Sequence, residues 1–286
     1  MPKFSKAGLI AKSGDLSVSK TLNDVYVLLQ NSGMEVLLDS STRGLLGGPV
    51  TVEMETIGAE CDIAIVIGGD GTLLHAAREL VNHHVPLIGV NRGRLGFLVD
   101  VSPEDKLHEL IEIINGEYIE EHRLLLDASL ERDGDVIHHS LAFNDTVMRT
   151  KDVLQIIEFE ISINNSFVLS QRADGIIVAT PSGSTAYSLS SGGPIVNPNL
   201  NALVLQPICP HTLSSRPLVV TAESEIEIKV TERKPVFAQM VCDGQVYTDL
   251  QNNDIIRVKR HDRTIRMLHP ANYDYHRILR EKLNWG

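Results

Sequence analysis

Three glycines, a carboxylate and a hydroxyl stand together at Gly68-Gly69-Asp70-Gly71-Thr72, directly after the apolar run Ile63–Ile67. Glycines carry no Cβ, so main-chain amides there can approach a phosphate closely, and a helix starting behind them favours negative charge. Gly68, Gly69, Gly71 and Thr72 are therefore candidate phosphate-binding residues. The turn is neither a Walker A loop nor a Gly-x-Gly-x-x-Gly dinucleotide fingerprint. It adds a carboxylate, Asp70, among the amides. A carboxylate in a phosphate site is unfavourable unless it takes a proton or holds a metal. Phosphoryl transfer to a hydroxyl uses both, a base for the attacking oxygen and a cation on the donor phosphates. An isolated Gly-Asp-Gly reads first as a tight turn whose Asp70 caps the next helix. The buried strand before it and the helical stripe Leu73, Ala76, Ala77, Leu80, Val81 after it favour the chemical reading.

Two further clusters supply polar groups. Thr180-Pro181-Ser182-Gly183-Ser184-Thr185-Ala186-Tyr187-Ser188, followed by Ser191-Gly192-Gly193-Pro194, places hydroxyls and glycines after the apolar strand Gly175–Ala179. Such a strand-to-helix junction offers donors to a phosphate or ribose; the alternative is a Ser/Thr-rich surface loop. Asn144-Asp145 interrupts a strand-like run where neither residue is favoured. A carboxamide beside a carboxylate can take the paired hydroxyls of a ribose, and a strand end or bulge is the competing reading. Arg172 and Asp174 form either a ligand-facing pair or a surface salt bridge. The eleven histidines show no His-x-x-x-His or His-Glu-x-x-His spacing, which gives no sign of a tightly held transition metal. The proline-bounded block Pro207–Pro217 reads as a structural connection.

The elements that must position these residues follow two grammars. Up to about residue 122, short apolar strands (8–11, 35–38, 63–67, 86–90) alternate with helical stripes, among them one that Ser102-Pro103 caps and Gly116 ends. Strand-helix-strand repetition predicts a doubly wound, parallel-sheet α/β domain over 1–122. From residue 123 to 270 the period changes to two, as in Glu158–Ile163 and Glu225–Val230, with turn signals at Asp133-Gly134, Asn164-Asn165, Asp174-Gly175 and Asp243-Gly244. This predicts a mostly antiparallel β domain with one helix starting near Ser184. Residues 271–286 read as a helical segment packing back on the first domain, and a cleft between domains is the default ligand site.

The 286 residues carry a formal net charge of -11 with 43% hydrophobic and 22% charged residues. That balance lacks the basic face a nucleic-acid partner requires. Cys61, Cys209 and Cys242 are widely spaced, as expected for reduced thiols. The N-terminus lacks the apolar core of a signal peptide, and no apolar run reaches membrane-spanning length. A cytoplasmic protein without membrane partners is expected.

Taken together, the chain resembles the NAD kinase family, on Gly68–Thr72, Asn91–Leu98, Asn144-Asp145, Thr180–Tyr187, Ser191–Pro194 and Pro210-His211. The first motif is shared with diacylglycerol-type lipid kinases and phosphofructokinases; the Thr180–Tyr187 segment with Gly-Gly-Pro is far more specific. The resemblance implies an α/β domain followed by a β-rich domain, assembled as homodimers or homotetramers. It implies transfer of a phosphoryl group from ATP, or inorganic polyphosphate, to the 2′-hydroxyl of the adenosine ribose of NAD, with a divalent cation such as Mg2+. Asp70 would accept the proton, with Gly71 beside NAD. Asn144 and Asp145 would hold NAD, with Arg172, Asp174 and Ser182 nearby. Thr185, Ala186, Tyr187, Ser188, Leu189 and Ser190 would line its site, and Gln245 would approach from the second domain. The chain departs from the family's usual pattern at Asp145 (commonly Glu), at Ser191 (commonly Ala) and at Gln155, near a position that is often basic. A lipid or sugar kinase, and a non-catalytic NAD(P)-sensing module, are the alternatives.

Overall fold

The computed structural model describes residues 3–46, 50–91, 96–101, 107–151, 155–231 and 236–285. The expected cap Ser102-Pro103, residues 92–95 of the Asn91–Leu98 segment and the first two residues of the N-terminus lie outside them. The chain divides into two units, 1–122 with 265–286, and 123–264.

The first unit is a seven-stranded sheet ordered Thr51–Val52, Glu35–Asp39, Lys6–Ala11, Ile63–Ile67, Leu87–Val90, Ile265–Pro270, Tyr118–Arg123. Its first six strands in that order run parallel. The central strands are apolar on both faces because helices cover both. Ala7, Leu9, Ile63, Ile65 and Ile67 pack with Leu22, Val25 and Leu29 of the helix Ser19–Asn31 and with Leu110, Ile113 and Ile114 of the helix Leu107–Asn115. On the opposite face Gly8 admits Ile57 of the helix Met54–Glu60 so closely that a Cβ would overlap it. The strand order reverses between Lys6–Ala11 and Ile63–Ile67, a topological switch point where ligands gather at the carboxyl ends of strands. Gly68–Thr72 follows Ile67 at that end.

The chain returns to this sheet at Ile265, before the expected boundary at 270, because Ile265–Pro270 pairs in parallel with Leu87–Val90. Its alternating sequence resembles that of the preceding antiparallel strands, so periodicity cannot tell which sheet it joins.

The second unit packs two six-stranded antiparallel sheets over one core. One is ordered Ser166–Ala173, Ile157–Ile163, Ile226–Val230, Ile255–Arg260, Leu126–Arg132, Asp135–Ala142; the other Leu218–Thr221, Ala202–Ile208, Gly175–Ala179, Asp145–Thr150, Ala238–Cys242, Val246–Asp249. Asp133-Gly134, Asn164-Asn165 and Asp243-Gly244 all have φ between 50 and 92° at both positions; the first two close two-residue hairpins, and Asp243-Gly244 opens the three-residue loop between Cys242 and Val246. Asp174-Gly175 differs. The chain there runs from the strand Ser166–Ala173 of one sheet directly into Gly175–Ala179 of the other, so this is a crossing rather than a hairpin. Its glycine serves close packing: a Cβ on Gly175 would overlap the Met148 carbonyl. Phe143-Asn144 make another such crossing, between Asp135–Ala142 and Asp145–Thr150. The expected helix near Ser184 is reduced to a 3-10 turn, Ser182–Thr185, and a single α turn, Tyr187–Ser190.

Candidate active site

Asp70 is the first residue of the helix Asp70–Leu80, with Gly69 as N-cap and no side-chain capping bond. Its carboxylate turns away from its own helix. Oδ2 accepts from the Phe97 amide at 3.3 Å and Oδ1 from the Leu98 amide at 3.2 Å. The capping reading of Asp70 is therefore replaced by a carboxylate held by a separate loop. Gly96 must stay small, since a Cβ there would overlap Asp70 Oδ1. The Gly68 amide donates to the Val90 carbonyl at 3.0 Å, so Gly68 shapes the turn and is not itself a phosphate donor. A Cβ on Gly68 would lie 2.7 Å from Thr72 Oγ1, whereas one on Gly69 would meet nothing within 4 Å. Open space in front of Gly69 and exposed Gly71 stand at the amino end of an eleven-residue helix, an arrangement whose main-chain amides can take an anion.

The second unit holds a cavity of about 330 Å3 lined by Asn144, Asp145, Val147, Arg149, Ala186, Tyr187, Val241, Asp243, Gly244 and Tyr247. Its origin is the period of two. In Asp145–Thr150, Met148 points into the inter-sheet core with Met240 and Cys242, which leaves Asp145, Val147 and Arg149 on the outer face beside Val241. The Gln239 carboxamide oxygen, in the orientation that satisfies both groups, accepts from Arg149 Nε and Nη2 at 2.9 Å each.

Asp243 organises one wall. Its carboxylate accepts from three successive amides, Phe143 at 2.9 Å, Asn144 at 2.7 Å and Asp145 at 3.3 Å. The Asp145 carboxyl is 4% exposed. Burial, and then the Asp243 charge beside it, push its pKa up to about 7.

The Thr180–Ser190 segment reaches the cavity through Ala186 and Tyr187. Most of its hydroxyls hold the turn together. Thr180 Oγ1 donates to the Phe143 carbonyl at 2.7 Å and accepts from the Gly183 amide at 3.0 Å. Ser184 Oγ donates to the Pro181 carbonyl at 2.6 Å and accepts from the Val196 amide at 2.9 Å. Thr185 Oγ1 donates to the Ser182 carbonyl at 3.1 Å, and Arg123 Nη1 donates to Ser182 Oγ at 3.1 Å. Ser188 Oγ is buried without a hydrogen-bond partner among the described residues, Leu189 is half-buried and Ser190 exposed. Gly183 lets the turn lie against Asn144, whose carbonyl a Cβ would overlap. Gln245 is exposed on the turn beside Gly244.

Arg172 and Asp174 make no ion pair with each other among the described residues. Arg172 is exposed on the strand Ser166–Ala173, while Asp174 lies at the sheet crossing, where its side chain and burial together raise the Cys209 thiol pKa. Asp243, Arg149 and Tyr247 escaped the sequence reading. Asp243 was visible only as half of a turn signal, and Arg149 and Tyr247 as members of alternating strands.

No three His, Cys, Asp or Glu side chains among the described residues gather as a metal site. Asp70 at the mouth of the glycine turn is a hard oxygen donor of the kind magnesium takes singly alongside substrate phosphates. The residues present fit such an ion.

Comparison with known proteins covers both units. Residues 7–118 match the family model of the ATP-NAD kinase N-terminal domain, and residues 143–269 that of the ATP-NAD kinase C-terminal domain. The NAD kinase of Cellvibrio japonicus (strain Ueda107) is 42% identical over 293 residues, covering 100% of this chain and 98% of that protein. The crystal structure of yeast NADH kinase complexed with NADH superposes with a TM-score of 0.90 at 27% identity, covering 100% of this chain and 88% of that one. An NAD kinase from Archaeoglobus fulgidus in complex with ATP gives 0.73 at 26% identity, covering 98% and 97%.

Proposed function

The chain belongs to the ATP-NAD kinase family, and we propose that it transfers the terminal phosphoryl group of ATP to the 2′-hydroxyl of the adenosine ribose of NAD. The observation that carries this is Asp70, a carboxylate held by two amides at the head of a glycine turn, in a chain matched along both units by that family. Neither a lipid or sugar kinase nor a non-catalytic sensing module is favoured beside it.

Asp70 takes the proton of the 2′-hydroxyl as the new O–P bond forms and ADP departs. The Phe97 and Leu98 amides hold the carboxylate and aim it. Gly69 and Gly71 give the donor phosphates room and main-chain contact, Thr72 offers its hydroxyl, and Gly68 shapes the turn. Asn144 and Asp145 bind NAD hydroxyls, Gly71 and Thr185 to Ser190 line its site, and Ser182, Arg172, Asp174 and Gln245 stand around it. A divalent cation, magnesium with ATP, would neutralise the donor phosphates and be held by them together with Asp70.

The relatives' names support ATP as donor, and inorganic polyphosphate is the second donor to try. Exposed Val136 and Ile137 on one edge strand of a six-stranded sheet, and Phe167 and Val168 on the other, support a homodimer or homotetramer. No helix among the described residues is long and apolar enough to cross a membrane, and the cysteines are free, which supports a reducing, cytoplasmic setting.

The test is NADP formation from NAD and magnesium with ATP and polyphosphate in parallel, read with an NADP-specific dehydrogenase. Product is expected with at least one donor, and none with either overturns the reading. Asp70→Asn should lower kcat by roughly 10²–10⁴-fold while NAD still binds. Unchanged turnover would assign the base elsewhere.

A further inference from the structure

The loop that supplies the two amides to Asp70 has its own anchor. Residues 96–101 are tied to the strand Leu87–Val90 and its end through Asn91 N to Val101 O at 2.8 Å and Val101 N to Gly89 O at 3.2 Å, and internally through Gly96 N to Val99 O at 2.9 Å. Between the amide pair and that pairing lies Asp100, whose side chain is only 6% exposed. Asp100 Oδ2 lies 2.9 Å from His269 Nδ1, and Asp100 Oδ1 is buried without a hydrogen-bond partner among the described residues. The carboxylate therefore rests on one side chain.

His269 belongs to the strand Ile265–Pro270 and is 1% exposed. A carboxylate only accepts, so Nδ1 carries the proton toward Asp100. Nε2 lies 3.3 Å from Glu121 Oε2, and the ring stacks on Tyr273 at 4.0 Å between centroids, which leaves it one orientation.

We propose that His269 is a positioning residue for phosphoryl transfer, holding Asp100 and through it the Phe97-Leu98 amides that aim the Asp70 carboxylate. The chain of contacts runs from imidazole to carboxylate, along two residues of backbone, to the amides and the base. Breaking it strands a buried carboxylate in the loop, and a buried charge without a partner moves its surroundings. A base displaced by about an ångström loses much of its rate while substrate binding persists. This rests on the reading of Asp70 as the base.

The two ends of the imidazole can be separated by substitution. Asparagine at 269 places an amide N–H where Nδ1 stands, whereas glutamine reaches only toward the Nε2 position. In the full-length protein, His269→Asn should keep kcat within about threefold of wild type, while His269→Gln lowers kcat roughly 10- to 100-fold with KM for NAD and ATP changed less than about twofold. A role in stability alone predicts similar kcat for both folded variants. Asp100→Ala, measured in parallel in case His269→Gln does not fold, should reproduce the kcat loss, and the two losses should not add. Wild-type kcat in His269→Gln or Asp100→Ala, with Asp70→Asn inactive, overturns the inference. Activity retained in Asp70→Asn overturns the base assignment instead, so the two failures are distinguishable.

Discussion

Asp145 and Asp243 are joined by two hydrogen bonds, one between main chains and one to the Asp243 carboxylate, while their carboxyl groups oppose one another. The Asp243 carboxylate accepts the Asp145 amide at 3.3 Å, and the Asp243 amide donates to the Asp145 carbonyl at 3.0 Å. The strand geometry thus forces two acidic side chains onto one cavity wall. Only one of them, Asp243, receives amides as compensation.

The cost falls on Asp145, with a visible pH dependence. Its folded pKa of about 7 lies above the unfolded value near 3.8, so the fold gains from the neutral form. That contribution is fully present below the unfolded value and fades as pH rises toward and through 7. Asp145→Asn stays neutral throughout, so its stability relative to wild type should improve between pH 5 and pH 8, by at most about 1.4 kcal/mol per pH unit crossed. Thermal melts at both pH values check this; a constant difference would mean that Asp145 is ionised throughout.

Removing Asp243 leaves the amides of residues 143–145 without their acceptor. Asp243→Ala should cost roughly 2–4 kcal/mol in urea unfolding and weaken NAD binding, because Asn144 and Asp145 lose their orientation together. Equal stability of Asp243→Ala and wild type would deny the carboxylate this organising role.

Gly69 and Gly183 should respond differently to alanine. At Gly69 an added Cβ meets nothing within 4 Å, so folding stability should hold within about 0.5 kcal/mol while kcat/KM for ATP falls, the methyl occupying phosphate space. At Gly183 the Cβ overlaps the Asn144 carbonyl, so stability should drop by roughly 1–3 kcal/mol and NAD affinity with it. Melting curves and ATP and NAD titrations of the two variants separate the cases.

Elsewhere in the second unit, Arg132 holds Asp254 through Nε and Nη2, both at 2.8 Å, and the Asp254 side chain is fully buried. Arg132→Met should cost about 3–5 kcal/mol, whereas pairing it with Asp254→Leu should recover much of the loss. Chemical denaturation of the single and double variants decides it.

Much of this architecture was legible in the residues, and the failures have physical causes. Ile63–Ile67 announced a strand covered on both faces, and Asp133-Gly134, Asn164-Asn165 and Asp243-Gly244 announced hairpins because two successive positive φ angles demand such residues. Asp174-Gly175 carried the same signature for another reason, a close approach to Met148 where the chain changes sheets. Hydroxyl density in Thr180–Ser190 pointed to a segment that reaches the cavity through Ala186 and Tyr187, but not to the use of its hydroxyls, most of which bind nearby backbone. Arg149, Asp243 and Tyr247 enter the cavity through registers between distant strands, which no local pattern encodes. His269 and Asp100 meet across 169 positions, and neither stands in a motif.

The place of Ile265–Pro270 between Leu87–Val90 and Tyr118–Arg123 also governs how the molecule is made. During synthesis the amino-terminal sheet waits with an open seam, its two lips translated well over a hundred residues before the strand that zips them. Each lip meanwhile offers unpaired amides and carbonyls to any passing chain. Loss of residues 265–270 would therefore damage the first unit, whose other strands are all encoded before residue 124, and a nascent chain stalled before residue 265 keeps both lips exposed.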